Sequence, residues 1–169
     1  MAISKIPSAG FSGTEGITMI DQWRINANTN NSTDGDVTAN WERNDRTGYG
    51  SIGTGLTESS GIFSFPSTGI YLIHIHARIQ NGANDTSSNY QLKITTDNST
   101  YVKASVIASG NGSGNAVITG SGNLFVFDVT NTTTHKFKLT TTSFSSGTFL
   151  VGNTDDQNTG VTVMKIGNT

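Results

Sequence analysis

The stretch Phe63-Ser-Phe-Pro-Ser-Thr-Gly69-Ile-Tyr71-Leu-Ile73-His-Ile75 contains the strongest structural signal in this chain. From residue 70 to residue 79 the side chains alternate with the period that is typical of a half-buried β-strand. One face is predicted to carry Tyr71, Ile73, Ile75, Ala77 and Ile79, and the other Leu72, His74, His76 and Arg78. Pro66 and Gly69 predict a turn before the strand, because glycine accepts backbone angles that a side chain would forbid.

On both sides of this stretch, similar runs separated by clusters of Gly, Asn and Ser predict strands along the rest of the chain. No stretch shows a 3.6-residue apolar period of helical length. The other predicted strands are residues 17–25, 37–41, 62–65, 90–95, 101–108, 124–129, 136–142 and 161–166. Predicted turns include residues 80–89, 110–114 and 120–123. Short strands in this arrangement indicate an all-β fold, an antiparallel sandwich or jelly roll.

The composition restricts the function. Charged residues make up 13% of the 169 residues, with a net charge of −2, against a usual share of about 25%. No basic stripe is present, so we expect no nucleic-acid partner. The absence of an apolar run of about 20 residues argues against a membrane span, and no secretion signal is visible. Without cysteine the chain has neither disulfides nor thiolate metal sites.

The chain is expected to consist of two segments, an N-terminal arm and one folded domain. Residues 1–16 hold few apolar residues among small ones and are predicted to form an extended N-terminal arm, with Ile3, Ile6 and Phe11 as apolar anchors. Residues 17–169 are predicted to form one domain, a size that can bury a substantial core.

The stretch quoted above resembles the signature of the C1q/TNF-like family, in which an aromatic residue and a five-residue gap precede Gly-x-Tyr-x-apolar-x-apolar. Residues 124–127 and 161–166 stand where that family has its last inner-sheet strands. The resemblance implies a jelly-roll domain that assembles as a homotrimer around a threefold axis. It also assigns two sets of residues. The core signature is Phe63, Gly69, Tyr71, Ile73 and Ile75, and the face toward the axis carries Leu72, His74 and His76.

Short C1q-like domains rich in Asn, Ser, Thr and Gly also resemble virion proteins of tailed phages. This resemblance implies a non-enzymatic, trimeric decoration (cement) protein on the outside of a phage capsid, with the major capsid protein as its partner. The alternative is the receptor- or glycan-binding tip domain of a phage fibre, which contacts a host surface glycan. The loops around Tyr49, Asn84 and Tyr90 would suit that second role.

Three patterns are compatible with bound ligands. Gly48-Tyr-Gly-Ser-Ile-Gly53 matches the dinucleotide fingerprint, but that motif needs a preceding buried strand and a following helix, so we interpret it as a loop. His74 and His76 have a spacing that can hold a metal, especially if three chains meet, although a polar pair beside the axis explains them without metal. The third histidine, His135, lies in a Thr-rich turn and is predicted to be on the surface.

Asp34-Gly-Asp36 and Asp155-Asp156 could contribute to Ca²⁺ sites, but neither segment supplies six to eight oxygens, and Asx turns explain both. The spacing of Glu15, Asp21, Glu42, Asp45 and Glu58 singles out no catalytic pair. No serine stands in a nucleophile-elbow pattern. The sequence therefore predicts neither an enzyme nor a cofactor.

Overall fold

Residues 16–29, 32 and 34–169 are described in the computed structural model, and within this part the chain forms twelve strands. In chain order they are β1 (Met19–Ile25), β2 (Gly35–Asp36), β3 (Trp41–Arg43), β4 (Thr57–Ser59), β5 (Ile62–Ser64), β6 (Gly69–Asn81), β7 (Ser88–Thr95), β8 (Val102–Ser109), β9 (Val117–Val129), β10 (Lys136–Thr142), β11 (Phe149–Leu150) and β12 (Gly160–Gly167). In this part of the chain there is no helix that is long and apolar enough to cross a bilayer.

The strands form two antiparallel sheets. In the first sheet, β9, β6, β12, β1 and β3 are neighbours in that order, and β11 adds to the end of β6. The second sheet has the order β4, β5, β10, β7 and β8, with β2 paired to β10. The prediction of an all-β jelly-roll sandwich is thereby confirmed.

The core lies between the sheets and is rich in aromatic rings. Phe63 of β5 stacks on Phe137 of β10, with centroids 4.8 Å apart, and meets Trp41 of the first sheet edge-on at 5.0 Å. Tyr71, Ile73 and Ile75 of β6 are fully buried. Gly69 begins β6 at a φ of +148°, where a β-carbon would lie 2.7 Å from the backbone oxygen of Gly167. Glycine is therefore required where the chain enters this strand.

The chain reaches β1 and leaves β12 at the same end of the first sheet. Met19 lies opposite Lys165 and Trp23 lies opposite Val161 in the antiparallel register. The predicted arm, with Ile3, Ile6 and Phe11, lies outside the described residues apart from Gly16.

The predicted strand at residues 37–41 is wrong. The backbone there passes from β2 in the second sheet to β3 in the first, and Asn40 takes a left-handed φ of +66°. The carbonyl oxygen of Val37 accepts a hydrogen bond from Nε1 of Trp41 at 2.7 Å. Val37 is buried while residues 38–40 are exposed, and a strand cannot continue through the bend.

The predicted turn at residues 120–123 is also wrong. It lies inside β9, which pairs with β6 over thirteen consecutive residues, from Val117 opposite Asn81 to Val129 opposite Gly69. A long partner strand compensates for the weak β-propensity of glycine. The short strands β2, β4 and β11 were not predicted, because two or three residues do not establish a period.

His135 is buried rather than on the surface, with 8% of its area exposed. Its ring stacks on Phe127 with centroids 5.6 Å apart. Both ring nitrogens lie within hydrogen-bonding distance of hydroxyls, those of Thr130 and Thr134. The Thr-rich turn thus supplies partners to a core-edge histidine.

Candidate functional site

The face of β6 that points away from the core carries the predicted axial residues. Leu72, His74 and His76 alternate with the buried Tyr71, Ile73 and Ile75, and all three are partly exposed. The alternation of a single strand puts them on one line, about 6.6 Å from one to the next.

Neighbouring strands extend this line into an apolar surface. Leu124 and Val126 of β9 lie opposite His74 and Leu72, and Met164 of β12 lies opposite Leu72 on the other side. We call this surface, together with Thr162, Ile20, Gln22 and His76, the open face of the first sheet. Leu124 is 61% exposed and Val126 54% exposed. Two large apolar side chains on one sheet face are unfavourable in water and indicate a contact surface.

A polar depression lies beside the apolar residues. It has a volume of about 650 Å³. Twelve residues of the first sheet and the 157–158 loop line it, among them His74, His76 and Arg78 of β6 and Gly120 and Ser121 of β9. Gly122 lies opposite His76 in the register. A β-carbon at position 122 would be 2.7 Å from Nε2 of His74. The absence of a side chain at Gly122 therefore makes room for the ring of His74.

The two histidines differ in their surroundings. Their ring centroids are 5.7 Å apart. Nε2 of His76 is buried and has no hydrogen-bond partner among the described residues. Burial, together with the neighbouring His74, lowers the pKa of His76 from 6.5 to about 4. His76 is therefore neutral at pH 7, and a neutral imidazole nitrogen can accept a hydrogen bond or bind a metal.

The two acidic segments are held by the protein itself. Asp34 accepts hydrogen bonds from the backbone amides of Ser143 and Phe144, both at 2.9 Å. Asp36 accepts from Nζ of Lys138 at 2.7 Å and from Oγ1 of Thr140 at 2.8 Å. No group of three or more His, Asp or Glu side chains that could hold a metal occurs within the described part of a single chain.

Asp156 forms an ion pair with Arg46 at 3.2 Å, and the backbone amide of Asp155 donates to the side chain of Asn153. The carboxylate of Asp156 therefore has a cationic partner on its own chain, and Asp155 is held through its backbone.

The glycine motif at residues 48–53 is a loop without a following helix. Two contacts hold the loop against β1. Ile52 forms a β-bridge with Ile20, and the hydroxyl of Tyr49 donates a hydrogen bond to Asp21 at 3.1 Å. Asp21 is buried and also accepts from Nε1 of Trp23 at 2.9 Å and the amide of Leu56 at 2.8 Å. These contacts make Asp21 an anchor for the loop.

Glu42 and Asp45, two of the other acidic residues considered, both bind the buried Arg24. Glu58 accepts from the amide of Gly61 at 2.6 Å and closes the turn between β4 and β5. The side chain of Tyr90 cannot contact a glycan as expected, because it is fully buried in the core.

Sequence reasoning missed a basic surface on the other side of the sandwich. Lys138 of β10 lies directly opposite Lys93 of β7, and Lys93 lies opposite Lys103 of β8. We call these three residues the lysine row. Asp36 binds Lys138, and the hydrogen bonds from Lys138 and Thr140 outweigh the effect of burial, so that the pKa of Asp36 is lowered. The row could not be found from the sequence, because its members come from three strands whose register is set by the fold.

Comparisons with known proteins identify the fold. No protein-family model and no curated protein sequence matches the chain. Among solved structures it is similar to the Eiger TNF of S. frugiperda, with a TM-score of 0.67 and 10% sequence identity over 92% of this chain and 96% of that one. Murine APRIL at pH 5.0 gives a TM-score of 0.60 and 13% identity over 88% and 99% of the two chains. At these identities the likeness shows the fold alone: a TNF-like antiparallel jelly roll.

Proposed function

We propose that the chain is a non-enzymatic structural protein of a virion, a homotrimeric decoration protein on the outside of a phage capsid. The observation that carries the trimer is the open face, where Leu124 and Val126 are more than half exposed beside Leu72 and Met164. A second and a third copy would cover this surface, and a closed ring uses the same pair of surfaces in every contact. The C1q/TNF-like resemblance of the sequence implies the same arrangement.

The role on the capsid is supported by composition and by the structural contacts of the acidic side chains that were considered for catalysis. A surface made of Ser, Thr, Asn and Gly forms hydrogen bonds without strong long-range fields. Within the described residues, Asp21, Glu42 and Asp45 all act as structural acceptors. The major capsid protein is the proposed partner, and residues 1–16 are the proposed anchor. An arm that adds a strand to a neighbour would satisfy its backbone and bury its few apolar side chains.

The test uses capsids that lack the protein. Purified trimer should sediment with such heads and should raise the temperature at which they rupture. A variant that lacks residues 2–16 should remain a folded trimer and fail to bind. Binding of the truncated trimer at wild-type affinity would show that the anchor lies on the jelly roll, and failure of the intact protein to bind heads would contradict the decoration role.

The lysine row favours one other function, the glycan-binding tip domain of a fibre. Three lysines in register present positive charge on the exposed side of the second sheet, with strands about 4.8 Å apart. Polar residues of the same sheet, among them Gln91 and Thr142, could bind sugar hydroxyls. An acidic host polysaccharide would suit this surface. Labelling of intact virions separates the two proposals, because a decoration protein is found on the head and a tip domain at the end of a fibre.

A further inference from the structure

We propose that the outward face of the second sheet binds a linear acidic polysaccharide, with lysines on its acid groups and a glutamine on its hydroxyls. The inference names a ligand for the glycan-binding role raised above and rests on that role alone, since it needs neither the capsid nor the trimer. The class of ligand follows from the side chains that gather on this face and from the small number of acids beside them.

The lysines of the chain are concentrated on this one face. The sequence has six lysines, and four of them lie on β7, β8 and β10. Lys136 stands two residues before Lys138 on β10, and the buried Phe137 lies between them. Lys136 therefore joins the lysine row on the outward side. We call Lys93, Lys103, Lys136 and Lys138 the lysine face. With neighbouring strands about 4.8 Å apart, these side chains start within an area about 10 Å across.

Little negative charge neutralises the lysine face. Nζ of Lys138 binds Asp36 at 2.7 Å. Among the described residues, no carboxylate lies within ion-pair distance of the other three lysines. The carboxylate of Asp97, in the turn after β7, accepts hydrogen bonds from the backbone amides of Ser99 and Thr100 at 2.8 and 2.7 Å. Like charges directly opposite one another destabilise a sheet, and a bound polyanion would relieve this repulsion.

The side chains on this face suit a sugar polymer. Lysine is a compact point charge, whereas arginine pairs with two oxygens of a phosphate or carboxylate at once, and none of the four arginines lies on the second sheet. Gln91 stands two residues before Lys93 on β7, and its Nε2 donates to Oγ1 of Thr142 at 2.8 Å. Its Oε1 is left to accept a hydrogen bond from a sugar hydroxyl. Because the backbone of DNA lacks the 2′-hydroxyl, the glutamine favours a polysaccharide over DNA.

The experiment measures binding of the full chain to sodium alginate, which carries carboxylates, to dextran sulfate and to neutral dextran. Binding of either acidic polymer is expected, the tighter one identifies the acid group, and neutral dextran should not bind. Affinity should fall more than about tenfold between about 50 and 200 mM salt, because each docked ammonium releases counterions. Lys103→Gln should weaken binding at least about threefold and lower the slope of log affinity against log salt by about one. Gln91→Ala should weaken binding and leave that slope unchanged.

Two further variants separate the lysine face from general attraction of charge. Lys165→Gln removes the same charge from β12 of the first sheet and should bind as the wild type does. Lys93→Gln should lose affinity although it removes a repulsion within the sheet, so unfolding cannot explain its loss. The proposal is overturned if neither acidic polymer binds, if Lys93→Gln and Lys103→Gln keep full affinity, or if double-stranded DNA binds as tightly at equal salt. Labelling that places the protein on the head would end the tip role and leave the binding measured here intact.

Discussion

The hydroxyl of Tyr71 donates a hydrogen bond to the carbonyl oxygen of Ser67, 2.9 Å away. The ring of Tyr71 is fully buried, with its centroid 4.6 Å from that of Phe65. One side chain therefore fastens the turn before β6 and fills the core beneath it.

Replacing this residue should separate its two contributions. We expect Tyr71→Ala to lower the free energy of unfolding by about 3–5 kcal/mol, since it leaves a large cavity. Tyr71→Phe keeps the ring and should cost about 1 kcal/mol, the worth of one hydrogen bond. Urea denaturation of both variants measures these values. A cost of less than about 1 kcal/mol for the alanine variant would contradict the burial of the ring.

The open face can be tested with two valines of equal exposure. Val126 on the open face and Val102 at the start of β8 are both 54% exposed. Val126→Lys should dissociate the trimer, because it places three charges in a desolvated contact. Val102→Lys lies on the second sheet and should leave the mass unchanged. Light scattering at micromolar concentration gives the result, and a monomeric wild type would contradict the assembly.

The pH dependence of stability follows from His76. Its pKa of about 4 in the fold lies below the ordinary value of 6.5, because burial and then the charge of His74 disfavour the protonated form. A lowered pKa means that the stabilisation is complete above pH 6.5 and is lost as the pH falls toward 4. At pH 5 the loss should be about 2 kcal/mol per chain.

Thermal melts between pH 7 and pH 5 measure this loss. The double variant His74→Gln, His76→Gln should show a flatter pH profile than the wild type. Arg78, on the same strand, is a charged group near the pair. On the neighbouring strands, Thr162 of β12 lies opposite His74 and Gly122 of β9 lies opposite His76, and neither is charged. An equal pH dependence in the double variant would assign the effect to other groups.

Arg24 is buried with 0% of its side chain exposed, and forms ion pairs with Glu42 at 3.0 Å and Asp45 at 2.7 Å. Removal of this buried side chain loses its packing and its hydrogen bonds to Glu42, Asn44 and Asp45, so Arg24→Ala should cost about 2–5 kcal/mol. Asp45 is 74% exposed, so Asp45→Asn should cost less than about 1 kcal/mol. Chemical denaturation compares the two, and a mild effect of Arg24→Ala would contradict a structural role for the ion pairs.

The lysine row should be slightly unfavourable to the fold. Like charges directly opposite one another destabilise a sheet, so Lys93→Gln should raise the free energy of unfolding by about 0.2–1 kcal/mol at low salt. The gain should shrink in high salt as the repulsion is screened. Lys165→Gln, on β12, is the control and should show no gain. A loss of stability in Lys93→Gln would show that attraction to Asp36 outweighs the repulsion.

The sequence predicted the strands in which period and burial agree, and the best case is β6, where five alternating side chains enter the core. It did not predict the bend at Asn40, because the left-handed backbone there depends on two sheets that meet only in the folded chain. The glycines of β9 indicated a turn, since the pairing with a thirteen-residue partner is not visible locally.

The candidate site was predicted only in part. The positions of His74 and His76 follow from the alternation of one strand. The exposure of Leu124 and Val126 does not, because residues 124–127 are apolar on both sides and could face the core either way. Arg24 and Asp21 were not predicted to be buried, since their burial depends on partners 18 to 35 positions away.

The pairing of Met19 with Lys165 places the start of β1 and the end of β12 at the same end of the molecule. Both outer ends of β1 and β12 lie at the Gly69 end of β6, and the loop with Asn84, hydrogen-bonded to Ser113, lies past its other end. A strand of thirteen residues is about 43 Å long. A trimer tethered by its arms would therefore stand upright, with these loops at its far tip. Foreign peptides inserted at residues 112–114 would be displayed far from the tether, and peptides fused after Thr169 would lie beside it.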